Sequence, residues 1–137
     1  MKKKIAILGS TGSIGKTLIE ILNKDKKNFE IILLTADKNY KEILKQAKYF
    51  KVKNLIIKNK KSYEILKKKT KNSKIKIYNH FNSFDEIFVK KIDYVMSAIT
   101  GIEGLIPTID IIKFTKKIAI ANKESIICGW NIINKEI

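Results

Sequence analysis

The stretch Ile5-Ala6-Ile7-Leu8-Gly9-Ser10-Thr11-Gly12-Ser13-Ile14-Gly15 decides the fold. Four apolar residues run straight into a turn with glycines at 9, 12 and 15, and a helical pattern follows with Ile14, Leu18, Ile21 and Leu22 on one face. A strand, a glycine turn and a helix in that order open a nucleotide-binding α/β domain. The glycines permit a tight turn, let a pyrophosphate come close to the backbone, and let the helix pack on the strand. The phosphate would lie on the free N–H groups and positive dipole end of that helix. Ser10, Thr11 and Ser13 would add hydroxyl donors. Lys16 follows Gly15, but no glycine stands five residues before Gly15, so the spacing of a P-loop is broken.

Outward from this turn, strand and helix patterns alternate. Glu30 to Ala36 is a continuous apolar run, as expected of a strand covered on both faces. Tyr40, Ile43, Leu44, Ala47 and Phe50 recur at helical spacing. Asn54 to Lys58 reads as a strand, Ser62 to Lys71 as a lysine-rich helix, and Lys74 to Tyr78 as an edge strand. Phe84, Ile87 and Phe88 mark a short helix and Ile92 to Ala98 a strand; a helix lies within Ile102 to Phe114, with Leu105, Ile109 and Ile112 inward. Lys117 to Ala121 is the last strand, and Ile126, Trp130, Ile133 and Ile137 form the apolar stripe of a last helix. The alternation predicts a Rossmann-like, doubly wound α/β domain: a mostly parallel sheet with helices on both faces. At 137 residues it is one domain. The last helical pattern is still running at Ile137, which suggests a piece of something longer.

Composition narrows the function. No segment is long and apolar enough for a membrane span, and the N-terminus lacks the apolar core of a signal peptide. The single cysteine, Cys128, cannot form an internal disulfide and is expected as a small core or half-buried residue, which fits a reducing cytoplasm. The net charge of +16 invites a nucleic-acid reading, but all 29 basic residues are lysine and they spread along the whole chain. Base readout and bidentate phosphate grip favour arginine. The excess is read as a solvated lysine surface whose field favours anionic small molecules, not nucleic acid. His80, the only histidine, is expected on the surface near an edge strand.

Two further stretches fall at the carboxyl end of the sheet, where ligands of such folds sit. Asp37-Lys38-Asn39 follows the second strand. An acid there takes the ribose hydroxyls of NAD, and a cation takes the 2′-phosphate of NADP. This chain offers both signs, and a plain polar turn capping the next helix fits equally well. Ala121-Asn122-Lys123-Glu124-Ser125 follows the last strand. On the residues alone Asn122 reads as a helix cap with Glu124 complementing the dipole. Lys123 as a cation at the mouth of a site is the alternative.

The glycine turn, Ala98-Ile99-Thr100-Gly101 with Gly104-Leu105-Ile106-Pro107-Thr108, and Ala121-Asn122-Lys123-Glu124-Ser125 together resemble the N-terminal domain of the 1-deoxy-D-xylulose 5-phosphate reductoisomerases. The resemblance spans the whole chain and is weakest between Leu55 and Asp93. It implies an NADPH-dependent oxidoreductase and isomerase of non-mevalonate isoprenoid synthesis. Thr11, Gly12, Ser13 and Ile14 would line the pyrophosphate and adenosine side, with Lys38 and Asn39 near the 2′-phosphate. Asn122 and Glu124 would hold the nicotinamide side, and Lys123 would reach the sugar-phosphate substrate. Asp37 stands where the family commonly has glycine and would oppose a 2′-phosphate. The divalent metal (Mg or Mn) and its Asp-Ser-Glu group belong to family sequence C-terminal to Ser125. Residues 1–137 are thus expected to be an NADPH-binding domain without the metal- and substrate-binding catalytic domain, unable to turn over alone. A homodimer is implied for the full-length enzyme. Two alternatives stay open: the cofactor domain of another NADP oxidoreductase, such as an aspartate-semialdehyde dehydrogenase type, or a non-catalytic nucleotide-binding module.

Overall fold

A computed structural model describes residues 1–137. Six strands, β1 (Lys3–Leu8), β2 (Phe29–Ala36), β3 (Asn54–Ile57), β4 (Lys76–Tyr78), β5 (Tyr94–Ser97) and β6 (Ile118–Ile120), form one sheet. Their order is β4-β3-β2-β1-β5-β6, and every pairing is parallel. Six helices cover the sheet: α1 (Ser13–Lys24), α2 (Tyr40–Phe50), α3 (Lys60–Lys69), α4 (Phe84–Ile87), α5 (Leu105–Ile111) and α6 (Lys123–Glu136). The chain winds one way from β1 to β4, then returns to place β5 on the other side of β1. The expected doubly wound sheet is present, and its switch point falls between β1 and β5.

The period of two in β1 builds two cores. Ile5 and Ile7 join Leu22, Ile43, Ala47, Leu55 and Leu66 on one face. Ala6 and Leu8 join Phe84, Phe88, Val95 and Ile111 on the other. The register of β1 against β2 slips between Ile5 and Ala6. That irregularity puts Leu33 in the second core and Ile31 and Leu34 in the first. Burial of both faces explains why β2 reads as an unbroken apolar run.

Several expectations need correction. Ile14 and Ile21 are exposed; the buried side of α1 runs through Gly15, Leu18, Ile19 and Leu22. The spacing i, i+3, i+4, i+7 is kept, but the stripe is centred on Gly15, whose missing Cβ lets the helix settle on the turn. In α6 the buried positions are Ser125, Gly129 and Ile133, while Ile126, Trp130 and Ile137 face outward. Here too a glycine sets the face: a Cβ on Gly129 would meet Leu105 Cδ1 at 2.1 Å. Cys128, beside Gly129 but turned off that face, is exposed. The segment expected as one helix between Ile102 and Phe114 is α5 flanked by 3-10 turns at Ile102–Gly104 and Ile112–Phe114, with Ile109 only half-buried.

The N-terminal strand is tied down by Asp93. Lys4 N–H donates to its Oδ2 at 2.8 Å, and Lys116 Nζ lies 3.3 Å from Oδ1. The Lys4 hydrogen bond, helped by Lys116 and Lys3 against some desolvation, holds the Asp93 carboxyl below its ordinary pKa. A depressed carboxyl pKa adds stability above its unfolded value, about 3.9, and that stability is lost as pH falls through the folded value. Asp93→Asn is therefore expected to lower the thermal midpoint at pH 7 and to match the parent at strongly acid pH. Thermal melts of both proteins across that range check it; a difference independent of pH would contradict it.

Candidate functional site

The glycine turn is built by close approach. Gly9 has φ +80°, and a Cβ there would sit 2.9 Å from the Ala98 carbonyl at the end of β5. Gly15 fits the first turn of α1 against the preceding backbone, with a Cβ position 2.2 Å from Gly9 O. Two buried polar side chains hold the turn from behind. Thr35 Oγ1 accepts from Gly9 N at 2.9 Å, and Thr35 O accepts from Ser10 N at 2.9 Å. Gln46 Nε2, from α2, donates to Ser10 O at 3.1 Å. Ser10 is fully buried and its hydroxyl turns toward Thr35 O, so it is not part of the phosphate cradle expected of it. Gly12 is the N-cap of α1 and has no side chain to cap it. The first-turn N–H groups of α1 are left to an external acceptor, as anion sites at helix N-termini require.

In front of the turn lies a cleft of about 740 Å³. It runs along the carboxyl ends of the strands. Gly9, Thr11 and Gly12 form its floor, Thr35, Ala36 and Asp37 the end of β2, and Lys58 the end of β3. His80, Phe81 and Asn82 wall one side; Ala98, Ile99 and Thr100 with Glu103, Ile106, Pro107 and Asp110 wall the other. The volume falls within the range of small-molecule and cofactor sites. The lining includes Asp37, Glu103 and Asp110 against one lysine, so the +16 of the chain is not gathered here.

The structure brings Thr11, Gly12 and Asp37 into this cleft, with Ser13 and Ile14 exposed beside it on the first turn of α1. Lys38 and Asn39 lie past its rim. Asn39 Oδ1 accepts from Glu42 N at 3.1 Å, which makes it the cap of α2. Asn122 is 5 % exposed and its side chain is fully engaged. Its Oδ1 caps α6, accepting from Glu124 N at 2.9 Å and Ser125 N at 3.2 Å, while its Nδ2 donates to Ile99 O and Gly101 O. The cap reading of Asn122 holds, and the residue also pins the loop that walls the cleft. Lys123 and Glu124 open α6 beyond the cleft lining. Sequence reasoning missed Thr35, Gln46, Lys58 and the His80–Asn82 wall. A threonine inside the apolar run of β2 and a lysine directly after β3 are the only marks they leave in the sequence, and neither tells what the side chain meets. His80 is on the surface, as expected, but that surface is the cleft. No three His, Cys, Asp or Glu side chains converge into a metal-binding group, and no helix is long and apolar enough to cross a membrane.

Comparison with known proteins agrees with this geometry. Residues 5–129 match the family model of 1-deoxy-D-xylulose 5-phosphate reductoisomerase. The chain is 59% identical over 137 residues to the reductoisomerase of Pelagibacter ubique, covering 98% of this chain and 35% of that one. It is 44% identical over 131 residues to that of Buchnera aphidicola from Schizaphis graminum, covering 93% and 33%. The solved Zymomonas mobilis reductoisomerase in complex with NADPH superposes with a TM-score of 0.90 at 28% identity, over 99% of this chain and 36% of that one. A reductoisomerase in complex with NADPH, fosmidomycin and magnesium superposes with a TM-score of 0.88 at 28% identity, over 98% and 33%. The chain thus spans about a third of the length of these relatives. Its fold, its glycine turn and these matches together place it in the 1-deoxy-D-xylulose 5-phosphate reductoisomerase family.

Proposed function

We propose that this chain is the NADPH-binding domain of an enzyme that rearranges and reduces 1-deoxy-D-xylulose 5-phosphate to 2-C-methyl-D-erythritol 4-phosphate. The observation that carries the reading is the cleft at the β1/β5 switch point. It has a floor of glycine backbone and an uncapped helix N-terminus facing it. NADPH supplies a hydride when bound. The chain's own residues bind and orient it. The N–H groups of the α1 first turn, with the Thr11 and Ser13 hydroxyls, hold the pyrophosphate, and Gly12 lets it approach. Asp37, Lys38 and Asn39 belong to the adenosine end, Glu124 to the nicotinamide side, and Lys123 to the sugar-phosphate. Asn122 acts on the nicotinamide side through the loop it holds. The metal, Mg or Mn, is proposed only for the longer family protein, since these residues assemble no donor set for it. Homodimer formation by that longer protein, a cytoplasmic location and the absence of a nucleic-acid partner are part of the same reading.

NADPH fluorescence titration of the folded chain tests it. One saturable site is expected, with affinity falling less than about tenfold between 50 and 200 mM salt. A nucleic-acid module contacting several phosphates would instead lose about 10³-fold or more for duplex DNA over that range. Folded chain that shows no saturable NADPH binding would overturn the reading.

A further inference from the structure

The adenosine end of the cleft contains a lysine from a different strand than expected. Asp37 and Lys58 stand one step past the last register pair of β2 and β3, Ala36 with Ile57. The two strand ends stay locked there: Lys58 N donates to Ala36 O at 3.1 Å, and Asn59 N donates to Asp37 O at 2.9 Å. Neighbouring strands lie about 4.8 Å apart, so the two side chains emerge side by side. Both line the cleft, and Lys38 does not. The structure holds one ion pair, Lys116 with Asp93, so the Lys58 ammonium is not neutralised by Asp37. It sits instead 5.5 Å over the ring of Phe81, on the cleft wall.

We propose that Lys58 supplies a further cation to the cofactor's 2′-phosphate, from β3 in addition to the loop after β2, and offsets the carboxylate of Asp37 beside it. This rests on the NADPH reading above. In Rossmann-like folds the adenosine ribose lies beyond the end of the second strand, where an acid selects the free 2′-hydroxyl and a cation selects the phosphate. Asp37 occupies the acid's place. By itself it would repel a 2′-phosphate and accept a ribose hydroxyl. Lys58 is the only lysine in the cleft lining and reaches the same place from the next strand. Its ammonium gives the phosphate a charge-assisted partner. The preference for NADPH over NADH is then a balance between Asp37 and Lys58.

NADPH and NADH differ only in the 2′-phosphate, so their affinities for one protein isolate this contact. Both are titrated into the parent chain, Lys58→Met and Asp37→Asn. Lys58→Met is expected to weaken NADPH about tenfold and to change NADH by less than about twofold. Asp37→Asn should raise the preference for NADPH. An unchanged ratio in Lys58→Met overturns the assignment and leaves the cofactor reading intact. A folded parent that binds neither nucleotide overturns both.

Discussion

Gly15→Ala is expected to destabilise this domain by about 3 kcal/mol or more, and Gly12→Ala, three residues earlier, by less than about 1 kcal/mol. The difference comes from what a methyl group meets. At Gly15 the Cβ would lie 2.2 Å from Gly9 O and 2.6 Å from Ser10 Cα. Both are backbone atoms, and neither can step aside. Ser10 is held by Thr35 and Gln46, and Gly9 by Thr35 and the close approach of Ala98. Relief requires α1 to lift off the turn, which opens the contact of Leu22 with the first core. At Gly12 the nearest atom to a Cβ is Gly9 O at 3.8 Å, an ordinary contact, and φ is −77°. The expected loss there is that of exchanging glycine for alanine at an N-cap. Yet Gly12 lines the cleft, and a methyl group would stand where a pyrophosphate must come close to the backbone. Gly12→Ala should therefore fold but bind NADPH at least about tenfold more weakly. Gly15→Ala should lower the thermal midpoint by about 10–20 °C. Melting curves and NADPH titrations of both variants decide the point. If Gly12→Ala binds normally, the turn is a packing device and not a phosphate site.

This contrast also shows what was legible in the sequence. The glycine spacing announced strand, turn and helix, but it assigned ligand approach and helix packing to the three glycines without saying which did which. The alternation of apolar runs was enough for the sheet and its parallel pairing, since a strand covered on both faces must be apolar throughout. It was not enough for the faces of α1 and α6. There the buried stripe is set by glycines, which carry no hydrophobic signal and so left Ile14 and Ile126 looking like core. The cleft was half legible. Residues following β1 and β2 could be assigned from their place after a strand. Thr35 and Gln46 could not, because their roles depend on contacts to Gly9 and Ser10 across 26 and 36 residues. Lys58 and His80 were hidden among ordinary surface polar residues. Only the strand order puts their loops beside the glycine turn.

Asn122 carries the second large effect, and its two halves can be separated. Removing the side chain with Asn122→Ala should destabilise the domain by about 2–4 kcal/mol. It strips a cap from α6, worth about 1 kcal/mol, leaves the Ile99 carbonyl without its donor, and leaves the Gly101 carbonyl with Gly104 N alone. A residue acting only as a cap would be replaced well by aspartate, because asparagine and aspartate cap about equally. Here aspartate should fail. Asn122→Asp keeps the acceptor for Glu124 N and Ser125 N, but sets a carboxylate oxygen against the carbonyl oxygens of Ile99 and Gly101, and the Ile99 carbonyl loses its donor. The neighbouring sequence is shaped to that donor. A Cβ on Gly104 would lie 2.6 Å from Asn122 Nδ2, so glycine there leaves room for the amide. Gly101, at φ +78°, turns the loop so that its carbonyl can accept. The amide thus couples the start of α6 to the loop from Ile99 to Gly104, which walls the cleft through Ile99, Thr100 and Glu103. Losing it should weaken NADPH binding even where the chain still folds. Urea unfolding with nucleotide titration of Asn122→Ala and Asn122→Asp measures both effects. An aspartate variant as stable as the parent would mean that Asn122 caps a helix and does nothing more.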